Sequence, residues 1–169
     1  MLLPVPPTPL PELGLGGEGE ICTSDELVTA WTCVARGYTH VTQILTAQVE
    51  RETGLAAASF LALAWLLRGG GRAVPLTTLA RHLAFSSGGF TKVADRLEQA
   101  GFITRQPSPC DRRVTNAALT SAGRAQAERA LAVYSAGLRE LVLRRLGADE
   151  LRALAGRMSQ LCRDALPPD

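Results

Sequence analysis

The sequence is poor in the residues that metal sites and most active sites are built from. It has two histidines, His40 and His82, far apart. Its four cysteines, Cys22, Cys33, Cys110 and Cys162, include no Cys-x-x-Cys pair. Structural zinc is held by closely spaced ligands, so no metal site is expected. A disulfide framework is not expected in a chain of 169 residues without a secretion signal. Met1–Leu13 lacks a basic start and is broken by prolines, unlike a signal peptide. The longest nearly apolar run, Gly54–Leu67, is too short to cross a bilayer and reads as a buried helix, so no membrane partner is expected. No Ser-His-Asp arrangement, catalytic carboxylate pair or phosphate-cradling glycine motif appears, and Gly69-Gly70-Gly71 is too featureless to be one. The chain is therefore expected to be neither an enzyme nor the holder of a cofactor. Lysine occurs once, at Lys92, and the formal net charge is only +2, so bulk basicity drives no nucleic-acid binding.

What is present fits one globular core: 46% apolar and 20% charged residues in 17.9 kDa. A cytoplasmic protein with reduced thiols is the expectation. Residues 1–22 read as a flexible tail, because Met1–Glu20 holds five of the ten prolines and four glycines. Residues 23–166 read as a single domain, and 167–169 as a second tail.

Helical periodicity begins after Ser24-Asp25. Leu27, Trp31, Val34, Tyr38, Val41, Leu45 and Val49 form one long apolar stripe, as on a helix lying along another helix. Glu50–Gly54 interrupts it, Leu55–Leu67 is a second helix, and the three glycines end that one. After Pro75, Leu76, Leu79, Ala80 and Leu83 mark a short helix. Ser86 and Ser87 cap the next, whose inward face is Phe90, Val93, Ala94 and Leu97. Gly101 supplies a left-handed stop. Phe102–Gln106 and Val114–Leu119 read as short strands around a polar, proline-punctuated hairpin tip, Pro107–Arg113. Thr120 caps a long helix to about Leu146, and Leu151, Leu154, Met158, Leu161 and Ala165 mark the last, stopped by Pro167-Pro168.

The charge is unevenly placed. Arg81–Arg113 holds six basic and three acidic residues, whereas the remainder holds twelve and thirteen. The whole surplus therefore lies in the helix pair and hairpin, as a phosphate-contacting surface requires.

Pro75–Thr120 resembles the winged helix-turn-helix of the multiple-antibiotic-resistance regulator (MarR) family. The likeness is carried by Leu76-Thr77-Thr78-Leu79-Ala80-Arg81-His82-Leu83 and by the run from Gly89 through Asp95-Arg96-Leu97-Glu98-Gln99-Ala100-Gly101-Phe102-Ile103-Thr104-Arg105. It continues in Asp111-Arg112-Arg113 and Leu119-Thr120-Ser121-Ala122-Gly123-Arg124. With its flanking helices the resemblance covers about Asp25–Leu166. It implies a mainly α fold with a small β wing: a winged helix-turn-helix (54–119) flanked by dimerisation helices (24–51 and 120–166). It further implies a homodimer that reads a pseudo-palindromic operator in double-stranded DNA and regulates transcription, as a repressor released by a small phenolic or amphipathic ligand.

The residues agree with that reading. Ser86, Ser87, Gly88, Thr91, Lys92, Asp95 and Arg96 are the candidate DNA contacts of the second helix, joined by Arg105 on the strand. Gly88 and Gly89 cost about 1 kcal/mol each against alanine in a helix interior; they either admit DNA closely or ease the turn. At the hairpin tip, family analogy puts Arg113 in a minor groove with Asp111 orienting it, and Arg112 on phosphate. A ligand pocket would be lined by Trp31, Tyr38, Phe60 and Trp65 with Arg36 or His40 as polar anchors, unless these aromatics are plain core. Cys33 and Cys110 are the redox candidates, Cys110 because neighbouring arginines favour the thiolate. Two alternatives stay open: a thiol-based redox-sensing regulator of the same fold, and a winged-helix protein-interaction module without DNA binding.

Overall fold

The computed structural model describes residues 23–70 and 72–165; the proline-rich start and the Pro167-Pro168 stop lie outside them. Helix α1 (Ser24–Thr53) opens on a reciprocal cap. Glu26 N–H donates to Thr23 Oγ1 at 3.2 Å, and Thr23 N–H donates to Glu26 Oε2 at 3.1 Å. The cap thus falls on Thr23, one residue before the expected Ser24-Asp25. Gly54, with φ of +73°, ends the helix.

The chain divides into two packing units, Met1–Gln43 and Ile44–Asp169. In the first unit the apolar stripe is uncovered: Leu27, Trp31, Val34 and Tyr38 are exposed, Tyr38 at 74%. In the second unit the same stripe is core, with Leu45 and Val49 buried.

The second unit continues with α2 (Ala57–Arg68), β1 (Val74–Pro75), α3 (Leu76–His82), α4 (Ser87–Gln99), β2 (Ile103–Pro107) and β3 (Thr115–Leu119). Then follow α5 (Ser121–Leu138), a π-helical turn (Arg139–Leu143), α6 (Arg144–Leu146) and α7 (Ala148–Ala165). The mainly helical architecture with a small antiparallel sheet is the expected one. Two details depart from expectation. A third strand, β1, pairs with β3, so the sheet order is β1-β3-β2. The helix after Thr120 also changes to π-helical winding at Arg139 before Gly147 (φ +80°) breaks it.

Helix α2 is buried because almost every face is apolar: Phe60, Ala62, Leu63, Ala64 and Leu66 are all interior. Around it gather Leu79 and Ala80 of α3, Phe90, Val93, Ala94 and Leu97 of α4, Ile103 and Ala117 of the sheet, and Ala127 and Ala130 of α5. Small residues let α5 come close. A Cβ on Gly137 would lie 2.5 Å from Leu45 Cδ2. Gln126 Nε2 donates to the Thr53 carbonyl at 2.8 Å, and the Arg129 guanidinium donates to the Glu52 carbonyl. These donors satisfy carbonyls that the end of α1 leaves unpaired, and the cation sits at the negative end of the helix dipole.

Candidate nucleic-acid interface

Helix α4 is built to bury one side and present the other. Phe90, Val93, Ala94 and Leu97 recur at i, i+3, i+4 and i+7, and each is at most 7% exposed. Gly88, Thr91, Lys92 and Arg96 are exposed on the remaining surface. Ser86 is the N-cap; its Oγ accepts from Gly89 N–H at 3.2 Å.

The two glycines have different causes. A Cβ on Gly89 would stand 3.0 Å from Ser86 Oγ, so Gly89 makes room for the cap. A Cβ on Gly88 would meet nothing within 4 Å. No contact within the protein asks for glycine at position 88; its bare backbone lies open at the helix start, where N–H groups and the positive dipole end face outward.

The far end of α4 is locked to the hairpin. Gly101 (φ +72°) lets Phe102 N–H donate to the Leu97 carbonyl at 2.9 Å and its own N–H to that of Glu98 at 2.9 Å. Thr120, the N-cap of α5, closes the same junction. Its hydroxyl donates to the Gly101 carbonyl at 2.7 Å and accepts from Gly123 N–H at 2.9 Å, while its N–H donates to the Phe102 carbonyl at 3.0 Å. Gly123 is pressed against this joint: a Cβ there would lie 1.8 Å from the Phe102 oxygen.

From that base β2 and β3 run antiparallel, Ile103 opposite Leu119 and Pro107 opposite Thr115. At the tip, Asp111 Oδ1 accepts from Arg113 N–H at 3.0 Å and lies 3.4 Å from Arg113 Nε. Val114 N–H donates to the Asp111 carbonyl at 2.9 Å. The aspartate side chain thus folds the turn and sits beside the arginine's stem. The Arg113 side chain is 93% exposed, and Arg112 and Cys110 are exposed beside it.

Arg105 and Asp95 are placed differently from the other candidate contacts. Arg105 Nη1 lies 2.8 Å from Asp95 Oδ1, and its Nε donates to Glu98 Oε2 at 2.8 Å, with Nη2 on the same oxygen. The arginine of β2 is therefore engaged with two carboxylates of α4. Its hydrogen bonding holds the Glu98 carboxyl below its ordinary value near 4.5. Glu98, in turn, raises Arg105. Glu98 was not among the residues singled out from the sequence, although its i+3 spacing from Asp95 puts both on one helix face.

The candidate ligand-binding aromatics are scattered in character. Trp31 and Tyr38 are exposed on α1, as are Arg36 and His40. Phe60 is a core residue, its ring 5.0 Å from that of Tyr134. Trp65 lies against His82, ring centres 5.1 Å apart. Cys33 is half-buried. Among the described residues, no group of three or more His, Cys, Asp or Glu is placed to hold a metal, and no helix is long and apolar enough to cross a membrane.

Residues 53–114, from the end of α1 to the wing tip, match the MarR family model. The winged module is similar to the helix-turn-helix of that family. Over 90 residues the chain is 32% identical to the HTH-type transcriptional regulator MhqR of Bacillus subtilis (strain 168). That alignment takes in 53% of this chain and 60% of the relative. Sco3205, a MarR family transcriptional regulator from Streptomyces coelicolor solved in complex with DNA, superposes with a TM-score of 0.75 at 23% identity. The match covers 86% of this chain and 94% of that one. The organohalide-sensing regulator RdhR-CbdbA1625, in its 2,4-dichlorophenol-bound form, superposes at 0.69 with 18% identity, covering 90% and 89%. At these identities the superpositions show the fold alone. Within the matched MarR segment lie α2, α3, α4 and the Asp111–Arg113 turn.

Proposed function

We infer that this chain is a sequence-specific, double-stranded DNA-binding transcriptional regulator that acts in the cytoplasm as a homodimer and performs no catalysis. The observation that carries the reading is the wing tip. An almost fully exposed arginine, held by Asp111, tips the hairpin that follows a helix whose outer face is Gly88, Thr91, Lys92 and Arg96. A narrow minor groove attracts an arginine so presented, and a bare helix start suits approach to phosphate. The DNA complex of Sco3205 and the transcriptional role in MhqR's name support the same conclusion.

Helices 24–51 and 120–166 then serve dimerisation around the winged module 54–119. The uncovered stripe of Leu27, Trp31, Val34 and Tyr38 supports this, since a second copy would remove it from water. Release by a small phenolic effector is the regulatory reading, supported by the dichlorophenol complex of RdhR-CbdbA1625.

The test is footprinting and gel shift on DNA flanking the chain's own gene, with wild type and Arg113→Ala. Wild type should protect a pseudo-palindrome. The variant should bind more weakly, and its plot of log K against log salt should flatten by about one unit. Equal affinity and slope for the two proteins would remove the wing assignment. Wild type ignoring every fragment at low salt would favour a protein-interaction module.

A further inference from the structure

We propose that Arg105, with Asp95 and Glu98, is a clamp that sets the angle of the wing to the recognition helix, so that these residues are positioning residues and not DNA contacts. The inference rests on the DNA-binding reading for its consequence, but not for its structural content.

The geometry is specific. Asp95 and Glu98 stand three residues apart on α4, and Arg105 is the third residue of β2. One guanidinium meets both carboxylates, using Nη1 toward Asp95 and Nε with Nη2 toward Glu98. A planar fork of donors can span two acceptors in this way, whereas a lysine ammonium has no fixed fork. The Arg105 side chain is only 23% exposed, against 93% for Arg113. A phosphate would have to compete for it with two carboxylates already in place.

The position explains why a clamp is useful. The base of the wing is already tied by the Gly101 turn and the Thr120 hydroxyl. At Arg105 and Gln106 the sheet still has its third strand, β1 pairing with Ala117 and Asn116; beyond them the hairpin is a two-stranded arm, with Pro107 opposite Thr115. Tying Arg105 to α4 fixes the arm at a second point, nearer the tip. The wing and α4 would occupy neighbouring grooves, whose spacing along a duplex is fixed. An arm held at the right angle before binding loses less freedom on binding.

The charges make the proposal separable from simple electrostatics. Asp95 and Glu98 are acidic residues on the helix that would face phosphate. If they merely bordered the DNA, removing their charge would tighten binding. As clamp residues, removing them should weaken it.

The experiment uses the full chain with Cys22, Cys33 and Cys162 replaced by serine and a nitroxide on Cys110, which is exposed at the wing tip. Arg105→Gln and the double variant Asp95→Asn/Glu98→Gln are compared with the parent. Without DNA, both variants should show a more mobile wing label at an unchanged secondary-structure signal. With an operator, both should bind about tenfold more weakly, at a salt slope equal to the parent's. An unchanged label mobility in both overturns the clamp. So does tighter binding by the double variant, or a slope lower by about one for Arg105→Gln, which would mark a phosphate contact. If the parent binds no duplex at all, the DNA-binding reading fails while the label still decides the clamp. Should Arg105→Gln not fold, the double variant carries both measurements alone.

Discussion

Gly123 shows how much a single absent atom can determine. Its missing Cβ leaves space for the Phe102 carbonyl, which would otherwise lie 1.8 Å away, and its N–H caps onto Thr120. No rotamer relieves a clash made by Cβ itself, so the backbone joint between β2 and α5 must open. Gly123→Ala should therefore destabilise the fold by about 3 kcal/mol, read from the urea midpoint at unchanged m-value. The same alanine at Gly88 meets nothing and should leave stability equal or slightly raised, since alanine is the better helix former. Glu98 adds a pH dependence with a definite sign. Its folded carboxyl titrates below its unfolded counterpart, chiefly through the Arg105 hydrogen bond. Its contribution is thus full above the unfolded value near 4.5 and is lost as pH falls through the lower folded one. Urea midpoints of wild type and Glu98→Gln should differ at neutral pH and converge as the pH falls below the unfolded value.

The elements divide by how much of their cause is local. Helix α4 was legible in full, because a cap, an i, i+3, i+4, i+7 face and a left-handed glycine are all short-range features. Ser86→Ala should accordingly cost about 1 kcal/mol in thermal or urea unfolding, as the loss of one N-cap bond. The wing strands and their charged tip were legible for the same reason. Strand β1 was not: two residues carry no alternation, and only pairing to Ala117 and Asn116 makes them a strand. The π-helical turn at Arg139–Leu143 has no mark in composition either. Arg105 and Asp95 carry a different lesson. Spacing shows that a charge lies off the apolar face, but not whether another element has already neutralised it. Phe60 and Trp65 illustrate the converse, since aromatic residues look alike in sequence whether they form a core or a cavity wall.

At the scale of the molecule, the two ends of the chain differ from its middle. The winged module shares one buried core with the end of α1 and with α5, whereas the first unit and α7 carry uncovered apolar side chains, among them Leu27, Trp31, Leu154 and Leu161. If two copies share these surfaces, Trp31→Glu should yield a monomer in analytical ultracentrifugation. It should also bind DNA far more weakly, since each monomer reads only one half-site. Wild-type protection should come in two blocks about 34–36 Å apart along one face of the duplex. A single block would point to one module acting alone.

The bare side of α1 also has a consequence for the folding of the chain itself. If a twin covers its stripe of leucine, tryptophan, valine and tyrosine, folding is linked to mass action, and resistance to heat would be set partly by how many copies are in solution. The melting temperature should then climb as the sample is concentrated. A cell that makes little of this protein would hold it nearer to unfolding than one that makes much.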